Sequence, residues 1–505
     1  MSGRSLSAVA GALLITAGGC LSCPSAYGAG QPNLLTSALA PRATCADPYP
    51  IPFEPSIQPR FTTGTAPLTV VIDTSVSTGP CPIVSRTINF GDRSPDADVS
   101  STLKAAHAYA KPGAYRVTLT ETESTGATAS VTSTIILGGL YAADGPQRIL
   151  DTRVGTGAAK RPLPAGGTIR LKVTGRDAVP ATGVTAVVLN LTATAPTGAG
   201  AITAHPDGTR TPNAANLDFT RGQTVSNLVT VPVTANGTID LTNSSGESTN
   251  LLADLQGYYT VAGAPGAGFY DDANPTVRLL DTRQHNAVHN GPLDPGQSIT
   301  LPVANQAAAN PGASAPAMAM LRITATAPTA AGFVTVSNRT GAPSTATVNF
   351  AAGQTTTDLA IVPLDANGAV HLYNHTGRTH VVVDLLGTFT TTAGLFSREF
   401  TPLAPERLLG AGAPVAKLHP GQYLQVNVPQ AGEGVPITSV LLNVTATDAT
   451  ASTYLNVFSW ATTMAPPAPF ATLDLGPGQT VSTLTESSVA TNYSGTSFDV
   501  LNHSG

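Results

Sequence analysis

The chain reads as an all-β protein, built as a small N-terminal β domain followed by three homologous repeats of sandwich or jelly-roll type. Three observations predict this. Short apolar or alternating runs are bounded throughout by Gly, Pro, Asn and Thr turns, and no segment sustains a helical period. The composition fits many short strands. Charged residues are 11%, hydrophobic residues 42%, and there are 49 Gly and 41 Pro in 505 residues. The sequence also repeats itself. Arg148-Ile149-Leu150-Asp151-Thr152-Arg153 returns as Arg278-Leu279-Leu280-Asp281-Thr282-Arg283, and in degraded form as Arg407-Leu408-Leu409-Gly410. A period of about 130 residues is far longer than a solenoid unit, so each copy is long enough for its own core. The expected arrangement is a string of separate beads.

Residues 1–29 read as an export signal. Arg4 precedes an apolar run at 8–17, and small residues cluster at Ala26, Gly28 and Ala29. A lipid-modified Cys20 is the alternative, but Ala17 stands where a lipoprotein signal usually has leucine. No later stretch is long and apolar enough for a transmembrane helix. Residues 30–52 form an N-terminal extension. After removal of the signal only Cys45 and Cys81 remain, an even pair expected to form a disulfide in an oxidising compartment. The net charge of −5 is spread thinly, with no basic stripe, which argues against nucleic acid as a partner.

Residues 53–137 form the next domain. Strands are expected at 69–73, 83–90, 115–120 and 129–137; the third alternates strictly, as a half-buried strand does. Asn89-Phe90-Gly91-Asp92, then His107-Ala108-Tyr109, then Pro112-Gly113-Ala114-Tyr115-Arg116-Val117-Thr118-Leu119 follow in order. This set resembles the polycystic-kidney-disease (PKD) type domain. The resemblance implies an immunoglobulin-like sandwich and an extracellular setting beside enzymes, adhesins or surface-layer proteins. Thr87, Asn89 and Arg93 depart from the family pattern. His107 and Tyr109, two apart on one strand face, read as core residues with satisfied polar tips rather than ligands.

The repeats span 141–262, 269–392 and 398–505. Further markers recur in order. Asn190-Leu191-Thr192-Ala193-Thr194 matches 322–326 and 443–447, and Gly222-Gln223-Thr224 matches 353–355 and 478–480. Pro232 and Pro363 sit at equivalent places inside strands, which predicts an edge or a bulge. The repeats resemble a module of secreted actinobacterial proteins, often found beside PKD-type domains; that resemblance supplies a setting and no activity. The first two copies continue past Gly246 and Gly377 into an apolar strand that the third copy lacks. The third repeat is therefore expected to be the least stable and the most prone to pair with another chain.

Asp151 and Arg153, matched by Asp281 and Arg283, are expected to form structural ion pairs pinning the first strand of each repeat, with a ligand role as the lesser alternative. Asp92, Asp96 and Asp98 make an acidic loop able to hold calcium weakly; solvated turn carboxylates are the plainer reading. No other cofactor is implied. The nine histidines form no catalytic set, and no nucleophile elbow, zinc helix or phosphate loop occurs. Trp460, the sole tryptophan, is the candidate ligand contact. The sequence thus predicts a non-enzymatic, exported or cell-surface binding or adhesion protein. Its expected partner is an extracellular polysaccharide, wall polymer or surface protein. A structural spacer, or an accessory to an extracellular hydrolase, is the alternative.

Overall fold

A computed structural model of the chain describes residues 7–17, 52–61, 68–110 and 113–504, except 262–263, 285–287, 308–309, 344, 395–396, 404, 410–415, 430–436, 460–469 and 493–494. Strands dominate it, arranged in several separate sheets. Residues 54–137 form a two-sheet sandwich. Gln58–Phe61, Thr69–Asp73 and Lys104–Ala108 make one sheet; Ala97–Asp98, Ile83–Asn89, Gly113–Glu123 and Thr128–Leu137 make the other. Val70, Ile72, Ile88, Val117 and Leu119 fill the space between them. Gly91 has φ 77°, and a Cβ there would stand 2.5 Å from the Arg116 carbonyl oxygen, so the turn requires glycine. His107 stacks on Phe90 at 3.9 Å and meets Tyr109 edge-on at 4.5 Å. The Tyr109 hydroxyl donates to the Phe90 carbonyl. Tyr109 is a core residue and His107 a half-buried one beside it, each with its polar tip bonded.

Each repeat is likewise a two-sheet sandwich, of four strands each in the first two repeats and of four and five in the third, with one sheet of the second repeat continuing into one of the third as a single eight-stranded sheet. In the first, Val225–Pro232, Val184–Thr194, Asn250–Thr260 and Leu140–Asp151 lie side by side. They face Thr168–Lys172, Thr238–Asn243, Gly200–Pro206 and Leu217–Phe219 across a core that includes Leu189, Leu191, Ile202 and Leu241. Pro232 and Pro363 end strands that pair on one side only within the sheet, where a missing N–H costs no ladder bond. The second repeat follows the same plan with Thr356–Pro363, Pro316–Thr326, His380–Thr390 and Phe269–Asp281.

The strands Asn250–Thr260 and His380–Thr390 close these sheets from the middle, each antiparallel to both neighbours. Each carries a glycine where the first strand of the repeat lays a tyrosine across it. A Cβ on Gly257 would stand 2.4 Å from the Tyr141 hydroxyl, and one on Gly387 2.4 Å from the Tyr270 ring. The two hydroxyls donate to the carbonyls of Gln256 and Leu386. In the third repeat the corresponding place between Arg398–Pro402 and Ile437–Thr447 is not empty. Ser7–Ala17, the apolar run near the N-terminus, occupies it, antiparallel to both neighbours.

The repeats are not separate beads. Their first strands meet head to head in a ring of backbone bonds. Gly139 and Phe400 exchange two bonds, Tyr141 and Gly268 exchange two more, and Tyr270 pairs with Arg398. Inside the ring the outer faces of the three sheets share one apolar cluster. It includes Tyr141, Val188 and Tyr259 from the first repeat, Met320 and Phe389 from the second, and Phe400, Leu441 and Leu484 from the third. Tyr259 stacks on Phe400 at 3.7 Å, and Tyr141 lies 5.0 Å from Phe389. These strands therefore bury both faces. Eight consecutive residues of Val184–Thr194 are buried, a pattern that fits a strand covered on both sides.

Polar residues around this cluster bind the repeats to one another in cyclic order. Asn190 donates to the Ala346 carbonyl and Asn443 to the Ala215 carbonyl, each at 2.6 Å. Arg322, which takes the same place in the second repeat, donates to Thr485 at 2.9 Å. Thr357 donates to Asp474 at 2.7 Å, Ser226 to Asp358 at 3.0 Å, and Ser482 to Asp218. Burial raises the carboxyls of Asp218, Asp358 and Asp474 above the usual range. It pushes Glu486 up to about 7 and Glu399 up to about 8.

Two predictions follow from this packing. Gly257→Val and Gly387→Val each cost about 1–3 kcal/mol through overpacking. Gly246→Ala, where an added Cβ meets nothing within 4 Å, is close to neutral by denaturant melts. The raised acids bind protons more tightly folded than unfolded, so their contribution is complete below about pH 4.5 and is lost as pH rises through about 7 to 8. The melting temperature of the repeats is therefore at least ~4 °C lower at pH 9 than at pH 5. The pair Glu399→Gln and Glu486→Gln flattens that fall in thermal scans.

Candidate functional site

The Asp-Thr-Arg motif sits at the outer end of the first strand in the first two repeats and closes on itself. Asp151 accepts from the Arg153 amide and guanidinium at 3.0 and 2.7 Å; Asp281 and Arg283 repeat this at 3.1 and 2.7 Å. The Arg153 and Arg283 hydrogen bonds hold both carboxyls below the usual range. A second clamp uses Asp254 and Asp384, which the sequence offered only as a third group beside these pairs, with arginines it did not single out. Arg148 grips Asp254 through two nitrogens at 2.7 and 2.8 Å, and Arg278 grips Asp384 at 2.5 and 3.2 Å. These pairs tie the first strand to the closing strand. The signal was present, since Arg148 and Asp254 recur together, but it joins residues 106 apart.

In the PKD-type region, Asp92 bonds Ser94 and His107, Asp96 accepts from Asn89, and Asp98 accepts from Ser100. Burial of Asp92 raises its carboxyl, but Ser94 and His107 outweigh that and bring it down to about 2. Each acid thus serves its own turn, and among the described residues no three His, Cys, Asp or Glu side chains gather as metal ligands. Cys81 is buried, with its amide donating to Glu123 at 3.2 Å. Cys45 and Trp460 lie outside the described residues.

The Gly-Gln-Thr marker places a different site. In each repeat this turn joins two strands, and the glutamine Oε1 accepts the amide three residues back: Thr220 at 2.9 Å, Ala351 at 3.0 Å and Gly476 at 2.7 Å. Gly222, Gly353 and Gly478 all have positive φ. The threonine of each turn bonds the last threonine of the Thr-Ala-Thr marker. The pairs are Thr194 with Thr224 and Thr326 with Thr355, both at 2.8 Å, and Thr447 with Thr480 at 2.9 Å. The two repeated markers are therefore one structural unit, met three times.

Because the repeats close into a ring, the three turns converge at one end of it. They border a pit of about 710 Å³ lined by Thr220, Gln223, 351–355, 452–454, 474–476, Gln479 and Ser504. A second hollow of about 320 Å³ adjoins it and shares Thr355, Tyr454 and Asp474; Arg278, Arg283 and Asp384 complete its wall. The half-buried Tyr454 ring is backed by His503 at 4.2 Å. Arg278 lies 5.0 Å over the Phe470 ring. The polar part of the pit lining is hydroxyl, amide and backbone, with Asp474 its one carboxylate, and Ala351, Ala352 and Leu475 add apolar wall. Such a surface can hydrogen-bond a neutral polyol and stack one ring against Tyr454. Neither hollow has a His or Cys in its lining.

Comparison with known proteins identifies one part of the chain. Residues 54–137 match the PKD domain family. The PKD domain joins the repeats directly through Gly138 and Gly139. No curated protein matches the chain. Among solved structures, the chain is similar to a carbohydrate-binding module of the β-sandwich superfamily described for promiscuous specificity. Identity is 19% over 42% of this chain and 93% of the other, with a TM-score of 0.16. It is also similar to the tandem CBM22-1–CBM22-2 domains of Paenibacillus barcinonensis Xyn10C, at 12% identity over 50% and 99% of the two chains and a TM-score of 0.17. A triple jelly-roll protein of an archaeal virus turret shares 9% identity over 77% and 88%, with a TM-score of 0.15. Overlays this loose say nothing about ligand or activity.

If the pit takes a ring-shaped ligand, Tyr454→Ala weakens binding roughly two- to tenfold with little change in melting temperature, as isothermal titration measures.

Proposed function

We propose that the chain is an exported, non-enzymatic binding protein of the cell surface or matrix, and that its repeats hold a neutral polysaccharide in the pit where the three Gly-Gln-Thr turns meet. The observation that supports this most is the lining of that pit. It offers hydroxyl and amide groups from all three repeats together with one tyrosine ring. The PKD domain at 54–137 is in keeping with an extracellular setting. In this reading the apolar N-terminal run serves as the export signal. In the same reading the buried Cys81 pairs with Cys45.

Contacts through neutral groups are weakly screened by salt. The chain is therefore retained on cell-wall polysaccharide and on intact cells at both low and high ionic strength, and Tyr454→Ala reduces that retention. No retention on either support removes the reading. Retention lost with added salt points instead to a charged partner. Titration of the exported protein finds no reactive thiol, and reduction costs roughly 3–4 kcal/mol of stability in the chain-entropy picture; two reactive thiols contradict the pairing.

A further inference from the structure

The histidine-backed ring of Tyr454 has a counterpart one repeat earlier. Gly332–Ser337 takes the place in the second repeat that Thr453–Phe458 takes in the third. There Phe333 stacks on His375 at 4.2 Å, as Tyr454 does on His503. One backbone bond fixes both stacks: the His375 amide donates to the Phe333 carbonyl at 3.0 Å, and the His503 amide to the Tyr454 carbonyl at 3.2 Å. Both histidines are exposed, and neither Phe333 nor Tyr454 belongs to the apolar core of its sandwich. In the first repeat the same bond joins Ser244 to Ala201 at 3.0 Å, so that copy carries no ring.

Each ring stands at a junction with the preceding repeat. Tyr454 shares the hollow of about 320 Å³ with Arg278 and Arg283. Phe333 pairs in register with Asn349, as Tyr454 pairs with Asp474. Val348–Phe350 packs on Val225–Pro232 of the first repeat, as Leu473–Leu475 packs on Thr356–Pro363 of the second. The repeat symmetry thus sets Phe333 on the side of Arg148 and Arg153. Those arginines are as open as their counterparts: 29% and 47% exposed, against 25% and 52% for Arg278 and Arg283. All four are paired with aspartates, which leaves donors without net charge. At the third junction Arg407 instead donates to the Asn213 carbonyl, and Ala201 stands where the ring would be. Two junctions are therefore built alike and the third is blank.

We propose that the two ringed junctions are a matched pair of sugar subsites, and that the ligand is a neutral oligosaccharide long enough to lie on Phe333 and Tyr454 at once. This rests on the polysaccharide reading of the pit. Each aromatic face takes the C–H face of a sugar ring, and the arginines with Asn349 or Asp474 meet its hydroxyls. Because the third junction is blank, the ligand lies along one arc of the ring of repeats. Joining two weak subsites through one ligand raises affinity with chain length.

The test titrates the full chain with neutral oligosaccharides of one to eight units cut from cell-wall polysaccharide, by calorimetry. Long fragments are expected to bind about tenfold more tightly than short ones. Phe333→Leu, which keeps apolar bulk but removes the stacking face, abolishes that gain, as does Tyr454→Ala. The double variant loses measurable binding, while melting temperatures stay close to that of the unaltered chain. A gain with length that survives Phe333→Leu overturns the paired subsites and leaves the pit reading intact. So does binding to the unaltered chain that does not depend on length. If no fragment binds the unaltered chain, the polysaccharide reading and the paired subsites both fall.

Discussion

The structure of the repeats depends on one constraint: their first strands must close a ring. Gly139 bonded to Phe400, Tyr141 to Gly268, and Tyr270 paired with Arg398 leave little freedom for where each sandwich lies. Closure turns the outer face of each sheet inward. It creates the shared cluster around Tyr141, Tyr259, Phe389 and Phe400 and commits the strands on either side to burial on both faces. Two-sided burial removes water from the polar residues of those faces, so every one of them needs a partner across an interface. Asn190, Arg322 and Asn443 find it in the neighbouring repeat.

The same closure explains why the repeated markers are what they are. The first residue of Asn-x-Thr-Ala-Thr reaches the next repeat, and its last threonine pins the Gly-Gln-Thr turn. That turn in turn edges the pit at one end of the ring. The glycine of the closing strand makes room for the tyrosine at the start of the first strand. The Arg-x-x-Asp-Thr-Arg run ties that first strand to its closing partner at the other end. The buried acids between repeats make the closed state sensitive to alkaline pH, while the clamped aspartates of the strand ends respond to acid.

Much of this was legible in the sequence. The all-β character, the two-sheet plan and the edge positions of Pro232 and Pro363 followed from alternation, turn residues and proline chemistry. The PKD domain followed from three motifs in order. What could not be read was the closure. A serine, asparagine or threonine on the face opposite a core looks like a solvent-facing residue, whether water or another repeat covers it. Ser226 and Asn227 are buried for a reason lying more than 100 residues away. The run of eight buried residues in Val184–Thr194 carried the hint, since a half-exposed strand would alternate. The pit was invisible for the same reason: its walls come from turns in three repeats and meet only once the ring is formed. The place filled by Ser7–Ala17 was read as an unpaired gap, because nothing local links an N-terminal apolar run to a sheet some 400 residues later.

Calorimetry of the chain with Phe400→Ala tests the central claim most directly, since this one side chain of the third repeat stacks on Tyr259 of the first. If the repeats form one closed body, they melt together apart from the PKD domain. Loss of the ring, at about 3–5 kcal/mol, then lowers that whole transition as a unit. If the heat signal instead resolves into separate transitions for the repeats, and only one of them moves, the closed ring is wrong.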